Sequence, residues 1–319
     1  MFDVLTITSP IYIIVGLGFV FTRAGLFAKP DMRLFGKFVL NLALPALVFR
    51  ALSQRQLGEV LNPGYLVAYT VGALAVVGLG YTWARRVGGH SATASTFLAM
   101  GMSSSNSGFV GYPIMLLTLA PMAGVVLALN MLVENLVVIP LLLWLAERAK
   151  GTGDPWRALT QSLVRLATNP LFLALAAGLV ISATGWQLPA PVTRSIDLLA
   201  SASGALSLFV IGGTLVGLPL AGMGQRVMPV VLGKLLVHPL LVWGAVSALP
   251  WMGLNLSPEL RMAAVLSAAM PVMGIYPTLA QAHGQEDTSA AALMATTMAS
   301  FFTLSALLWL FNTARTAGG

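Results

Sequence analysis

Glu134, Lys234 and His238 are titratable side chains set in long runs of apolar ones. Glu134, in Asn130-Met-Leu-Val-Glu134-Asn135, is the only acid deep inside a hydrophobic segment. Charge at bilayer depth is costly, so each such residue is a candidate for function. Glu134, with Asn135 beside it, could carry a proton; equally it could be a structural partner for Lys234, Arg50 or opened backbone. Lys234 and His238, four apart in Gly233-Lys234-Leu-Leu-Val-His238-Pro239, share one helix face. They could form a positive wall that attracts an anion, or a coupling pair. The plainer reading has Lys234, near the start of its segment, snorkelling to the surface while His238 bonds a carbonyl. Arg50, at the end of another segment, reads as a snorkelling residue too.

A second group is uncharged. Ser103-Ser104-Ser105-Asn106-Ser107-Gly108-Phe109-Val110-Gly111-Tyr112-Pro113 interrupts an apolar segment running from Ala92 to Leu119. Proline removes a backbone donor and opens the helix. The freed N–H and C=O groups must then line protein or a watery cavity. Asn106 donates and accepts, which suits a carboxylate, although its amide could merely cap the break. Opened helix ends add dipoles that favour negative charge. The serines read mainly as helix-packing residues. Met270-Pro271-Val272-Met273-Gly274-Ile275-Tyr276-Pro277 repeats the interruption, with Tyr276-Pro277 standing 164 positions after Tyr112-Pro113. Two broken segments in corresponding positions of two halves point to a transport site.

The elements that position these residues follow from composition. Of 319 residues 57% are hydrophobic and only 8% charged, with mean hydropathy +0.87. Soluble domains carry about 25% charged residues, so this is an integral membrane protein. The net charge of +7 then belongs to cytoplasmic loops and requires no nucleic acid. Absent cysteines exclude disulfides and thiol chemistry, and His90, His238 and His283 are too scattered for a metal motif. No cleaved signal peptide is read at the start. A span needs roughly 20 apolar residues. Ten are expected, at 8–24, 35–53, 64–84, 92–119 (broken), 122–146, 166–185, 190–217, 227–248, 259–284 (broken) and 288–312.

Thr8-Ser9-Pro10-Ile11-Tyr12 with Gly18, Val20 and Gly25 matches Thr168-Asn169-Pro170-Leu171-Phe172 with Gly178, Val180 and Gly185, every pair 160 positions apart. Five spans per repeat is an odd number, so the second repeat inserts upside down. The expected fold is an all-α polytopic membrane protein of two inverted five-helix repeats with broken, crossing helices 4 and 9. The repeats cover 1–147 and 166–319, joined by a cytoplasmic linker at 148–165. Loops after spans 1, 3, 5 and 7 hold 11 basic residues against 5 on the other side, which puts both termini outside the cytoplasm.

At this point the residues resemble a family. Asn41-Leu-Ala-Leu-Pro45-Ala-Leu-Val-Phe49, the Asn106-to-Pro113 break, Lys234-Leu-Leu-Val-His238-Pro239, and Ala269-Met-Pro271 through His283-Gly284 with Asp287 resemble the signatures of the auxin efflux carrier family of membrane transport proteins. The resemblance implies the architecture of the bile acid–sodium symporters. Spans 1, 2, 6 and 7 would form a scaffold, and spans 3–5 and 8–10 a transport domain. It implies substrates that are small organic anions, such as malonate or malate in bacterial members, and elevator-like movement. Carried over by position, the substrate site comprises Asn106, Ser107, Gly111, Tyr112, Pro113, Met270, Pro271, Gly274, Tyr276 and Pro277. Met270 stands where the repeat would put a second amide, so the site is not symmetric. The short linker departs from the plant pattern and looks bacterial, which implies the inner membrane.

The expected function is secondary transport of a small carboxylate, with no enzymatic or metal chemistry and no cofactor. A proton or Na+ gradient, or the anion's own, could drive it, and a homodimer is compatible with the reading. No phosphate-binding loop suggests an ATPase. A serine hydrolase using Ser103–Ser107 with His238 is the alternative enzyme, but no Gly-x-Ser-x-Gly elbow is present. A passive anion channel or a receptor is the remaining alternative.

Overall fold

The computed structural model describes residues 2–55, 58, 61–150, 154–217 and 224–317. Every regular element among them is helical, and the β-type pairing is an isolated bridge between Ser105 and Val272. The helices are α1 (Phe2–Arg23), α2 (Lys29–Ser53), α3 (Pro63–Arg86), α4 (Ala92–Ser103), α5 (Ser107–Thr118) and α6 (Ala120–Lys150). They continue with α7 (Pro155–Ala167), α8 (Pro170–Thr184), α9 (Ala190–Thr214), α10 (Val227–Met252), α11 (Pro258–Ala268), α12 (Tyr276–Gln281) and α13 (Glu286–Ala317).

Six of these (α2, α3, α6, α9, α10 and α13) are long and apolar enough to cross a bilayer. A seventh candidate is α7 with α8, bent by 62°. Both expected breaks are present, and they explain part of the shortfall from ten. At about 1.5 Å per residue, half-helices such as α4 and α11 cannot cover a core about 30 Å thick. Helix α1 continues through Pro10. In the expected linker, α6 extends to Lys150 and α7 begins at Pro155, with Asp154 Oδ1 accepting from the Trp156 N–H at 2.9 Å. Proline in the first turn and an aspartate cap are ordinary helix-start chemistry. Linker residues 151–153 lie outside the described residues.

The chain divides into two compact units. The first comprises residues 1–62, 107–129 and 167–218. Its helices meet backbone to backbone through glycine. A Cβ on Gly18 of α1 would lie 2.1 Å from the Phe209 carbonyl oxygen of α9. A Cβ on Gly178 of α8 would lie 3.2 Å from the Phe49 carbonyl oxygen of α2. The residues form a reciprocal set, since Gly18 and Gly178, and likewise Phe49 and Phe209, stand 160 positions apart. Gly25 (φ 82°) and Gly185 (φ 66°) close the turns after α1 and α8 in the left-handed conformation, as helix-terminating glycines do.

The second unit comprises residues 63–106, 130–166 and 219–319. Gly72 of α3 packs on Val242 of α10, where a Cβ would come within 2.8 Å of the Val242 Cα. Gly80 and Gly233 flank Met102 in the same way.

Three long helices contain a widened turn. The Leu44 N–H reaches back to the Val39 carbonyl, Ile139 to Glu134, and His238 to Gly233, each an i→i−5 bond. Each is followed at once by a proline, Pro45, Pro140 or Pro239. A proline ring pushes the carbonyl four residues before it aside, and the ladder relaxes into a wider turn. The start of α5, Ser107–Gly111, is widened in the same way ahead of Tyr112-Pro113. Glu134 and Lys234 both lie within such turns.

Candidate functional site

Within the second unit the two breaks are tied to each other and to a buried pair of opposite charges. After α4 the chain extends (Ser104 φ −90°, ψ 127°), and Ser105 pairs with Val272 of the second break. The Asn106 N–H donates to the Pro271 carbonyl at 2.8 Å, and the Met273 N–H to the Ser104 carbonyl at 3.3 Å. The Val272 N–H donates to Thr296 Oγ1 of α13. Backbone groups freed by the two breaks thus satisfy one another, as burial requires.

Two groups at the breaks take a charged partner instead. The Ser105 N–H donates to Glu134 Oε1 at 2.9 Å. The Ala268 carbonyl, the last of α11, accepts from Lys234 Nζ at 3.0 Å. An anion on an opened N–H and a cation on a helix C-terminal carbonyl are the arrangement that backbone dipoles favour. Ser105 joins the charges, because its Oγ accepts from Lys234 Nζ at 2.6 Å. The Tyr69 hydroxyl lies 3.1 Å from that Oγ and 3.2 Å from Glu134 Oε1. His238 Nδ1 lies 2.9 Å from Lys234 Nζ, with the direction of that bond set by the tautomer of the ring. Lys234 and His238 are fully buried and Glu134 is 5% exposed.

These positions bear on the structural readings given above. Lys234 does not snorkel: its widened turn directs it inward to the break. Glu134 partners the backbone break and reaches Lys234 through Ser105. His238 holds lysine instead of a carbonyl. No hydrogen bond joins His238 to a serine among the described residues, and Ser103 Oγ bonds its own helix at Ala99. That geometry removes the nucleophile–base contact a hydrolase needs.

One turn along α3 from Tyr69, Tyr65 stacks on it with ring centroids 5.9 Å apart. The Tyr65 hydroxyl donates to Asn130 Oδ1 at 2.8 Å, and Asn130 Nδ2 donates to Ser267 Oγ at 2.8 Å. Sequence reasoning missed Tyr65, Tyr69, Asn130 and Ser267. The available signal was two tyrosines four apart facing inward on an otherwise apolar span.

The expected binding residues divide between the units. In the second unit Asn106 is half-buried, Met270 and Pro271 are buried, Gly274 is exposed and Pro277 half-buried. The Tyr276 hydroxyl is committed to the Phe97 carbonyl at 2.6 Å. Asn135 bonds its own helix at the Met131 carbonyl. In the first unit Ser107, Gly111, Tyr112 and Pro113 are buried, and Ser107 Oγ has no protein partner among the described residues.

Tyr112 lines a cavity of about 690 Å³ contained within the first unit, together with Arg50, Gln54, Arg55 and Asp197. Arg50 pairs with Asp197 at 3.5 Å and faces this cavity. The Arg55 guanidinium donates to the Pro121 carbonyl. Two guanidinium groups against one carboxylate leave the lining positive, and guanidinium is well shaped to hold a carboxylate bidentately.

Over 314 residues the chain is 25% identical to the "Putative malonate transporter" of Rhizobium meliloti (strain 1021), covering 98% of this chain and 97% of that one. It is 26% identical over 213 residues to the uncharacterized transporter YfdV of Escherichia coli (strain K12), covering 65% and 67%. An uncharacterized transporter of Methanothermobacter thermautotrophicus is 27% identical over 276 residues, or 85% of each chain. The model of the Membrane transport protein family matches residues 3–310, so the chain is a multi-pass member of that family, a transporter and not an enzyme.

Proposed function

We propose that the protein is a secondary transporter of a small carboxylate anion in a bacterial inner membrane. The observation that carries this reading is the cavity bearing Arg50 and Arg55, whose charge outweighs that of Asp197. Its volume of about 690 Å³ falls within the roughly 300–1,000 Å³ usual for small-ligand sites. The relative whose name mentions malonate makes a short dicarboxylate the first substrate to try. Asn106, at the first break, is kept as a candidate anion ligand through its side-chain amide, which both donates and accepts.

Ten spans in two inverted repeats remain the architecture we favour. The reciprocal Gly18–Phe209 and Gly178–Phe49 contacts and the left-handed glycines at Gly25 and Gly185 support it. Elevator movement of the second unit's segments, with Glu134 and Lys234 riding in it, is the mechanism this division suggests. The basic-residue bias supports both termini lying outside the cytoplasm.

The test is counterflow of labelled malonate in proteoliposomes against a panel of mono- and dicarboxylates. Saturable exchange that Asn106→Ala abolishes, with expression intact, is the expected result. Full exchange by that variant would reject its role, and unsaturable flux would identify a channel.

A further inference from the structure

The Lys234 amino group lies among groups of the kind that also hold a small monovalent cation. Its Nζ sits at the C-terminal carbonyl of a half-helix (Ala268 O, 3.0 Å), against a hydroxyl of the facing break (Ser105 Oγ, 2.6 Å) and against His238 Nδ1 (2.9 Å). Half-helix C-termini and unwound carbonyls are where ion-coupled carriers hold an inorganic cation. A carbonyl, a hydroxyl and a ring nitrogen thus take the three hydrogen-bonding directions of the Lys234 amino group. A carboxylate completes the environment, since Glu134 bonds the backbone N–H of the same Ser105. All of these groups belong to one compact unit.

We infer that the Lys234 ammonium is a built-in cation that occupies, permanently, the place a coupling Na+ would take between the two breaks. Two consequences follow. The protein does not need Na+ to assemble its paired breaks, and its transport is expected to run without Na+. Removing the side chain uncovers a latent site for a small monovalent cation, lined by Ser105 Oγ, the Ala268 carbonyl and the neighbouring Glu134 carboxylate. Sodium, lithium or ammonium would fit it, whereas choline is too large. The inference rests on the transporter reading only where it concerns driving force; the binding site stands on the geometry alone.

The experiment has two arms. In the first, Tm of purified wild type, Lys234→Ala and Lys234→Ala/Glu134→Gln is followed while NaCl, LiCl or NH4Cl replaces choline chloride at constant ionic strength. The expected result is a saturable rise of several degrees for Lys234→Ala, none for wild type, and a rise lost from the double variant. A Lys234→Ala protein with the same Tm in all four salts overturns the inference. In the second arm, wild-type counterflow is measured with sodium fully replaced by choline. Undiminished exchange supports the inference, and exchange that requires sodium overturns it even if Lys234→Ala does not fold. Absence of any counterflow in either salt would count against the transport reading and leave the thermal arm to decide the site.

Discussion

Breaking the buried pair at one end should cost far more than replacing it whole. Lys234→Met removes an ammonium with three hydrogen bonds, leaving the Ala268 carbonyl, Ser105 Oγ and His238 Nδ1 without their partner. Each orphaned buried acceptor costs about 1–3 kcal/mol, and an uncompensated Glu134 carboxylate is added to that. Removing one member of a buried pair typically costs ~3–5 kcal/mol. At roughly 2–4 °C per kcal/mol, Tm should fall by about ten degrees or more. Glu134→Gln alone keeps an acceptor for the Ser105 N–H but strips the ammonium of its counter-charge, so a smaller loss is expected. Lys234→Met/Glu134→Gln leaves neither charge. It should be more stable than the sum of the singles by about 1–3 kcal/mol, the range for interacting neighbours. Thermal unfolding in detergent with sodium-free buffer measures all four corners of the cycle. Strictly additive losses would refute the claim that Ser105 couples the two charges.

Other outcomes follow from the same geometry. Arg55→Gln and Arg50→Gln should each raise the half-saturating substrate concentration about tenfold or more, the worth of a charge-assisted hydrogen bond, with expression unchanged; an unaltered value removes the cavity from the substrate path. Tyr65→Phe deletes one donor to Asn130 Oδ1 and should cost roughly 1–2 kcal/mol in Tm-derived stability while transport persists. Gly212→Val should abolish folded protein, because even a Cβ there would lie 1.9 Å from the Val15 carbonyl oxygen; a monodisperse gel-filtration peak at wild-type yield would contradict it.

How much of this was legible beforehand varies with the residue. The breaks at Asn106 and Pro271 could be read because proline and tyrosine recur in apolar segments, and those signals are local. That the breaks pair with each other, Ser105 against Val272, is a contact across more than 160 residues with no periodic signature. Lys234 misled for a physical reason. Proximity to a span's start suggests snorkelling, but Pro239 five residues later widens the turn and carries the side chain inward. The same proline rule would have marked Glu134 ahead of Pro140. Nothing in the sequence around Arg50 shows that Asp197, on another helix, pairs with it at a cavity. Span counting from apolar length overstates what single helices provide: α8 has 15 residues and α11 only 11.

The reciprocal glycine crossings also constrain how the molecule is made. Gly18 of α1 seats on Phe209, a residue synthesised 191 positions later. At ribosomal speeds of about 5–20 residues per second, α1 therefore waits roughly ten to forty seconds for its groove. Phe49 of α2 likewise waits for Gly178. Neither half can complete this layer while it is the only one inserted. A nascent chain arrested after the first half should therefore be a substrate for membrane quality control, whereas the two halves supplied as separate polypeptides retain every surface they need to recognise each other.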